Sequence, residues 1–250
     1  MTKESLHQEP LRVLVTGAAG VIGTAFWKRR HGEFSLCLAD LHTDGLAEAP
    51  CPSMQLDVSD YAACLAACMD TDVVLHLAGV PHASADFDTQ LLQPNIVGTH
   101  NIFRAAQAQG VSRVVFASSA QAIEGYALDV QVHEHMPARP ANMYGASKAF
   151  GEGVASAFAH QHGITAIAVR IANVADFAPG QQHSARDIAA FISERDVVQL
   201  LACCIAADVP PGYHVVHGVS DNRYKRLSID STRRLVGYAP QDDGFTLLGL

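Results

Sequence analysis

The sequence predicts an α/β fold of the Rossmann type, a doubly wound parallel sheet with helices on both faces. Short, continuously apolar segments alternate with helical ones, which is typical of parallel strands buried on both sides. The glycine-rich turn TGAAGVIG at 16–23 joins the first apolar segment to the first helical one. With 250 residues, of which 49% are hydrophobic, the chain can bury the core of such a domain.

Six strands are predicted, each a short apolar run. In chain order they span 11–17, 34–40, 53–58, 72–79, 111–119 and 164–173. Helical segments separate most of them, and several end at a glycine, a common residue just beyond a helix. The predicted helices span about 21–32, 60–71, 88–109, 144–162, 186–207 and 228–236.

The charge balance argues against some classes of partner. A net charge of −8 disfavours a surface for nucleic acid or anionic membranes. No apolar run approaches the roughly 20 residues that span a bilayer. The first residues, MTKESLHQEPLR, lack the hydrophobic stretch of a signal peptide, and we expect a flexible tail at 1–10. We therefore expect a cytoplasmic protein with neither a nucleic-acid nor a membrane partner.

Neither the cysteines nor the histidines predict a metal site. The six cysteines lie mostly in apolar runs, as buried free thiols do in a reducing compartment. Cys64 and Cys68 share a helical face, but no second pair of ligands stands near them in sequence. The pairs HEH at 133–135 and HQH at 160–162 have a spacing that directs helical side chains apart, so we interpret them as surface histidines.

The glycines of the turn predict a dinucleotide site. Glycine allows the chain to turn tightly, to approach a pyrophosphate and to pack the helix closely on the strand. The N–H groups at the start of the helix can then bind phosphate. The cofactor contacts predicted here are Gly17, Ala19, Gly20, Val21, Ile22 and Gly23.

An acidic residue at the end of the second strand favours NAD over NADP. Asp40 can accept hydrogen bonds from both hydroxyls of an adenine ribose, and its charge would repel a 2′-phosphate. Leu41 offers no charge to neutralise such a phosphate, although His42 leaves NADP open. Later strand ends complete the predicted cofactor site, with Asp57 and Val58 beside the adenine, and Leu77, Ala78 and Gly79 beside the ribose and pyrophosphate.

Tyr144 and Lys148 are the candidate catalytic pair. Four residues apart, they lie on one face of a helix. A phenol titrates near about pH 10 in water, but a nearby ammonium stabilises the phenolate and lowers that pKa. The pair follows a dinucleotide-binding turn and the serines at 118–119 that end the fifth strand. We therefore interpret it as a proton-transfer device rather than a surface pair.

Together these motifs resemble the extended short-chain dehydrogenase/reductase superfamily and its NAD-dependent epimerase/dehydratase family. The resemblance rests on TGAAGVIG at 16–23, LDV at 56–58, HLAG at 76–79, NIVGT at 95–99, FASS at 116–119 and YGASK at 144–148. It implies a catalytic triad in which Tyr144 is the acid or base, Lys148 lowers its pKa and holds the nicotinamide ribose, and Ser119 bonds the reacting oxygen.

The resemblance also implies roles for two asparagines. Asn95 would shape the site, with a hydrogen bond at the start of its helix, after Pro94, as the alternative. Asn173, after the sixth strand, would lie near the nicotinamide carboxamide and the substrate.

A closer resemblance is to the NAD-dependent uronate dehydrogenases, which oxidise the anomeric carbon of galacturonate or glucuronate. The similar stretches are VFASSAQAIEGY, PARPANMYGASKAFGE, AVRIAN, ARDIAAFISERDVVQLL and VVHGVSDN. The resemblance implies that Arg186 binds the substrate carboxylate, with Ser118 and Ser119 as further substrate contacts. The alternative is a solvent-facing arginine at a helix start. Ala120 and Asn173 depart from those enzymes, which carry asparagine and serine there.

We therefore expect an NAD-binding Rossmann domain with the catalytic residues at 11–173 and a small C-terminal substrate-binding lobe at 174–250. The expected function is NAD-dependent oxidation of a hydroxyl of a small sugar or sugar acid, because the lobe is too short for a nucleotide-sugar cleft. Two alternatives stay open: an epimerase or reductase of another small substrate, and a regulatory protein that binds NAD without turnover. The resemblance also implies a homodimer formed through the helices at 88–109 and 144–162.

Overall fold

A seven-stranded parallel sheet forms the centre of the molecule. The structure, a computed structural model, describes residues 9–250, so most of the predicted tail at 1–10 lies outside the described residues. The strands are β1 (Arg12–Thr16), β2 (Ser35–Asp40), β3 (Ser53–Gln55), β4 (Val73–His76), β5 (Arg113–Ser119), β6 (Thr165–Ile171), β7 (Asn173–Val174), β8 (Phe191–Ile192) and β9 (Tyr213–Gly218). The sheet order is β3-β2-β1-β4-β5-β6-β9, with every neighbouring pair parallel, and β7 pairs separately with β8.

Helices cover both faces of this sheet. They are α1 (Val21–Arg30), α2 (Tyr61–Ala67), α3 (Thr99–Ala108), α4 (Met143–His162), α5 (Ala185–Ala189), α6 (Glu194–Ala206), α7 (Asp230–Val236) and α8 (Gly244–Leu248). Successive residues of a strand point to opposite faces. Accordingly, Val15 joins the core cluster that contains Phe26 of α1 and Leu201 of α6. Its neighbour Leu14 joins a second cluster, with Phe103 of α3. The predicted doubly wound Rossmann-type fold is confirmed.

The sheet extends beyond residue 173, where the sequence predicts the start of a C-terminal lobe. β9 pairs with β6 along its whole length, and α6 packs against α1. The predicted boundary thus falls between two strands of a single sheet. The β7–β8 ladder with α5 and α8 stands apart from it, around a small apolar cluster of Phe177, Ile188, Phe191 and Leu248.

Two predicted helices are not single regular α-helices in the structure. The helix expected at 88–109 begins as a π-helical segment, Phe87–Gly98, and continues as α3. Pro94 lies inside the wider segment, where its missing N–H and its ring would disturb a regular α-helix. The helix expected at 186–207 is divided into α5, β8 and α6, because Phe191–Ile192 pairs with β7. In the described part of the chain, no helix combines the length and the apolar character needed to cross a bilayer.

Candidate functional site

The candidate site is a cavity of about 410 Å³ at the carboxyl ends of β1, β4, β5 and β6. In open α/β sheets, ligands bind at this edge where the strand order reverses, which here is between β1 and β4. The predicted site residues on its wall are Gly17, Gly20, Val21, Ile22, Gly23, Leu77, Gly79, Ser118, Ser119, Tyr144, Lys148 and Asn173. Those that do not line it are Ala19, Asp40, Asp57, Val58, Ala78, Asn95 and Arg186.

The glycine turn has the shape that a pyrophosphate requires. Gly17 has a φ of +70°, and a Cβ there would lie 2.6 Å from the backbone nitrogen of Ala78. A Cβ at Gly23 would overlap the carbonyl oxygen of Gly17, so α1 could not pack as closely on the turn. Because α1 begins at Val21, the N–H groups of its first turn have no carbonyl partner within the helix. These groups at the cavity wall fit the phosphates of a dinucleotide.

Asp40 lies beside the turn and orients it. Its Oδ2 accepts a hydrogen bond from the Ala19 backbone over 2.9 Å, and its Oδ1 accepts one from the His42 backbone over 3.1 Å. The ribose contact of Asp40 stays a prediction. At the end of the next strand along the sheet, Asp57 accepts hydrogen bonds from the N–H and hydroxyl of Ser59. The neighbouring Val58 is buried, and the adenine contacts of Asp57 and Val58 stay predictions.

Asn95 joins the segment after β4 to α4. Its Oδ1 accepts from the Val80 backbone over 2.8 Å, and its Nδ2 donates to the Val80 carbonyl and to Ser147 Oγ, both over 3.1 Å. The side chain therefore bonds to other segments rather than to the backbone of its own helix. Gly79 passes close to it, since a Cβ at this position, with a φ of +148°, would lie 2.9 Å from Asn95 Oδ1. Asn95 supports the cavity wall without lining it.

Tyr144 and Lys148 stand on the first two turns of α4, as the sequence predicts. Asn142 caps this helix by accepting a hydrogen bond from the Gly145 backbone over 2.8 Å. Both side chains are buried. Lys148 Nζ donates to the Ala117 carbonyl over 2.8 Å, and burial lowers its pKa to about 8.

The pKa of Tyr144 does not follow the expectation from the sequence. Burial raises this pKa above its usual value, and the Ser119 hydroxyl acts in the opposite direction. The ammonium of Lys148 lies 5.7 Å from the centre of the tyrosine ring and bonds to Ala117 instead. In this arrangement the lysine therefore does not offset the effect of burial.

The two serines at the end of β5 have different partners. Ser119 Oγ accepts a hydrogen bond from the Gln121 backbone over 3.1 Å and faces the cavity beside Tyr144. Ser118 Oγ donates to Glu152 Oε1 over 2.6 Å, so its proton is engaged by that carboxylate. Glu152 in turn forms a buried two-point ion pair with Arg170, with both N–O distances at 2.9 Å. The substrate contact of Ser118 stays a prediction.

Arg186 is already paired in the structure. Its Nε donates to Glu124 Oε1 over 2.8 Å, its Nη2 donates to the second oxygen of Glu124, and its Nη1 lies 3.2 Å from Asp187 Oδ1. Asp187 also accepts a hydrogen bond from Nδ2 of Asn173 over 3.0 Å. Arg186 is thus connected to the cavity wall through Asp187 and Asn173. It is not the solvent-facing arginine of the alternative, because its side chain is only 14% exposed.

Sequence reasoning missed the acidic partners in this network. Glu152 follows Lys148 by four residues and so shares its helical face, while Arg170 interrupts an otherwise apolar strand. A buried ion pair could have been inferred from these two signals. Nothing in the sequence around Glu124 indicates that it meets Arg186, 62 residues away.

Among the described residues, the cysteines and histidines offer no metal-binding constellation. Burial raises the pKa of both Cys64 and Cys68 to about 12, so these thiols stay protonated. His133 and His135 do not lie on a helix, and their rings stack with centres 5.7 Å apart, so the argument from helical spacing is wrong for this pair. Within residues 9–250, no group of three side chains is arranged to hold a metal ion.

Comparisons with known proteins agree with this fold. Over 95% of this chain and 96% of the relative, the sequence is 35% identical to an NAD-dependent glucose-6-phosphate dehydrogenase from Haloferax volcanii. A uronate dehydrogenase from Pseudomonas putida is 33% identical over 94% of this chain and 85% of its own length.

A solved structure of a mutant uronate dehydrogenase from Agrobacterium tumefaciens, complexed with NAD, matches with a TM-score of 0.85 and 32% identity. The match covers 94% of this chain and 86% of that chain. The model of the NAD dependent epimerase/dehydratase family matches residues 13–204. The resemblance inferred from the motifs is thereby confirmed, and the chain belongs to the NAD-dependent epimerase/dehydratase family.

Proposed function

We propose that the chain is an NAD-dependent dehydrogenase that oxidises a hydroxyl group of a small sugar or sugar acid. The observation that carries the proposal is a single cavity whose wall contains both the glycine turn and the Tyr144–Lys148 pair. The names of the relatives, uronate dehydrogenases and an NAD-dependent glucose-6-phosphate dehydrogenase, support the same class of reaction.

The glycine turn and the strand ends would hold the cofactor. The turn at Gly17–Gly23 and the first N–H groups of α1 would bind the pyrophosphate, and Asp40 would bind the adenine ribose. Lys148 and Asn173, at the other end of the cavity wall, would hold the nicotinamide ribose and carboxamide. Bound NAD would supply the acceptor for a hydride and a positive charge beside the catalytic tyrosine.

The residues of the chain would handle the proton. The substrate hydroxyl loses its proton as the carbon that bears it loses a hydride, so that a carbonyl forms and two electrons leave the substrate. Tyr144, as the phenolate, accepts the proton, while the Ser119 hydroxyl donates a hydrogen bond to the reacting oxygen. Burial raises the pKa of Tyr144, and Lys148 bonds to Ala117 rather than to the phenol, so the positive charge of bound NAD would be the one that favours the phenolate.

Formation of NADH with a panel of uronates, aldoses and polyols tests this proposal. We expect turnover by the wild-type chain and a loss of about 100- to 10,000-fold in kcat/KM for Tyr144→Phe. The affinity for NAD should change little, because the phenol oxygen takes part in proton transfer rather than in binding of the cofactor. Tyr224→Phe is the matched control, since Tyr224 is exposed and does not line the cavity.

The same assay separates the alternatives. Tight NAD binding without turnover of any sugar in the panel would contradict the proposal and favour a regulatory protein. Interconversion of sugar epimers without net NADH would favour an epimerase. Activity retained by Tyr144→Phe would contradict the assignment of the catalytic base.

We also propose that the chain forms a homodimer through the helical span at 88–109 and α4. One face of α4 carries Met143, Phe150, Gly153 and Ala157, which are exposed and recur at helical spacing. Light scattering should give twice the chain mass of 26.6 kDa, and Phe150→Glu should reduce the mass to that of one chain. A monomeric wild-type protein would contradict this proposal.

A cytoplasmic location completes the proposal. Free cysteines at six positions suit a reducing compartment, and the use of NAD suits the same one. Cell fractionation with antibodies against the chain tests the location, and recovery in a secreted fraction would contradict it.

A further inference from the structure

We infer that this site selects an uncharged sugar over a sugar acid or sugar phosphate, because Glu124 occupies the arginine that would otherwise bind an acidic group. The inference rests on the proposed dehydrogenase function and narrows its substrate class. Arg186 is paired with Glu124 through two hydrogen bonds.

The guanidinium of Arg186 has an acidic partner at each of its three nitrogens. Nε and Nη2 bond to the two oxygens of Glu124, and Nη1 bonds to Asp187. This two-point pairing is the geometry with which arginine binds a carboxylate. The Arg186 and Glu124 side chains are only 14% and 18% exposed. A substrate carboxylate would therefore have to displace Glu124 rather than add to a free cation.

Such a displacement is unfavourable because it brings like charges together. Arg186 supplies one positive charge, and Glu124 and Asp187 supply two negative charges, so the group already carries one net negative charge. Hydrogen bonds from Ser184 and Arg186 hold the pKa of Asp187 below its usual value, so this carboxylate is ionised at neutral pH. A further carboxylate or phosphate would add to this negative charge next to Arg186 and Glu124, which are largely shielded from solvent, although the Asp187 side chain is 42% exposed.

The rest of the cavity wall offers no replacement cation. Among the lining residues of the described chain, Lys148 is the one with a cationic side chain, and it belongs to the catalytic pair. Burial lowers the pKa of Lys148 to about 8, so its ammonium form is less stable than that of an exposed lysine. Beyond the catalytic pair, the polar side chains on the wall, those of Ser118, Ser119, Gln121 and Asn173, are neutral donors and acceptors. Such groups suit sugar hydroxyls.

The ion pair lies directly behind this neutral wall. Asn173 lines the cavity and donates to Asp187, which in turn bonds to Arg186. On the other side, Gln121 lines the cavity within the short turn Ala120–Ile123, and Glu124 is the next residue. A change in the charge of Glu124 would therefore change the electrostatic potential acting on a sugar that contacts Gln121 and Asn173.

The test compares each neutral sugar with its acidic counterpart: glucose with glucuronate and glucose 6-phosphate, and galactose with galacturonate. Wild-type protein should favour the neutral sugar in kcat/KM by about 10-fold or more, and Glu124→Gln should shift the ratio toward the uronate by about 10-fold. The shift should disappear in the double variant Glu124→Gln/Arg186→Met. Glu194→Gln makes the same change in an exposed pair with Arg29 and should leave the ratio unchanged.

The possible results separate a failure of the inference from a failure of the proposed function. A wild-type preference for uronates, or an unchanged ratio in Glu124→Gln, overturns the inference and leaves the dehydrogenase proposal intact. No turnover of any sugar overturns the proposed function, and melting curves with NAD and each sugar then decide the inference. Stabilisation of wild-type protein by glucose but not glucuronate, with glucuronate stabilising Glu124→Gln, supports it. Equal shifts with glucuronate in both proteins overturn it.

Discussion

Two arginine–glutamate pairs stand behind the cavity, and they differ in depth and in support. The pair Arg170–Glu152 is 3% and 7% exposed and joins β6 to α4, with Ser118 as an additional donor. The pair Arg186–Glu124 is 14% and 18% exposed and joins a short helix to a turn. Both use Nε and Nη2 of the arginine, so their local geometry is nearly the same.

The difference indicates which part of the fold tolerates few substitutions and which part tolerates more. The deep pair holds α4, and with it Tyr144 and Lys148, against the central strands. The outer pair joins the short helix α5 to the turn that follows β5, where substitutions disturb fewer contacts than in the central sheet. Under the proposed function, the proton-transferring pair is held to the sheet, and the proposed selection of the sugar depends on segments that can change without disturbing that pair.

The largest effect on stability is expected for Glu152→Gln. This change leaves Arg170 as a buried cation without its carboxylate, which costs about 3–5 kcal/mol in comparable buried pairs. Urea denaturation should give an equivalent fall in the free energy of unfolding. A loss similar to that of the exposed-pair variant Glu194→Gln would contradict the distinction between the two pairs.

Lys148→Met should stabilise the fold while abolishing turnover. Unlike the two arginines, Lys148 bonds to a carbonyl, and its pKa of about 8 lies below the usual 10.5 because burial disfavours its charge. Replacement should raise the free energy of unfolding by about 2 kcal/mol at pH 7.

The pH dependence of this gain has a defined sign. Below about pH 8 the native and unfolded lysines are both protonated, so the cost of burying the charge is at its full value. The gain should shrink from about pH 8 to 10.5, as the native and then the unfolded lysine becomes neutral. A gain that is constant across this range in paired denaturation curves would show that burial of the charge is not its cause.

Glu124→Gln should cost less than Glu152→Gln. The amide keeps an oxygen that can accept from Arg186, and Asp187 remains as a charged partner. We expect a loss of about 1–2 kcal/mol in the free energy of unfolding. An equal or larger loss than that of Glu152→Gln, measured under the same conditions, would mean that the outer pair is a structural support rather than an adjustable element.

The smallest effect is expected for Glu194→Gln. Arg29 and Glu194 are each 52% exposed, so water screens their attraction. Pairs of this kind contribute about 0.2–1 kcal/mol. A loss above this range in urea denaturation would indicate that depth is not what separates the pairs.

The parts of the molecule that local patterns determine were predicted from the sequence. The apolar strands, the turn at Gly17–Gly23 and the i, i+4 spacing of Tyr144 and Lys148 each act within a few residues, so their placement follows from the chain itself. The direction of the Tyr144 pKa shift could not be predicted in this way, because it depends on the burial of the phenol and on the Ser119 hydroxyl, and Lys148 bonds to Ala117 instead.

Contacts between residues distant in sequence, and the division of the segment at 186–207, could not be predicted from local patterns either. The pairing of Arg186 with Glu124 joins residues that are 62 positions apart. The interruption of the predicted helix at 186–207 depends on the pairing of Phe191–Ile192 with β7. In both cases the partner is chosen by tertiary packing, which helical propensity does not report.

The position of β9 has a consequence for synthesis of the chain. β6, at 165–171, is complete well before its outer neighbour at 213–218 has been made. During translation β6 is therefore an apolar edge strand with unpaired N–H and carbonyl groups, the kind of surface on which nascent chains associate with one another. A nascent or truncated chain that ends before residue 213 should depend on chaperones far more than the full-length chain does.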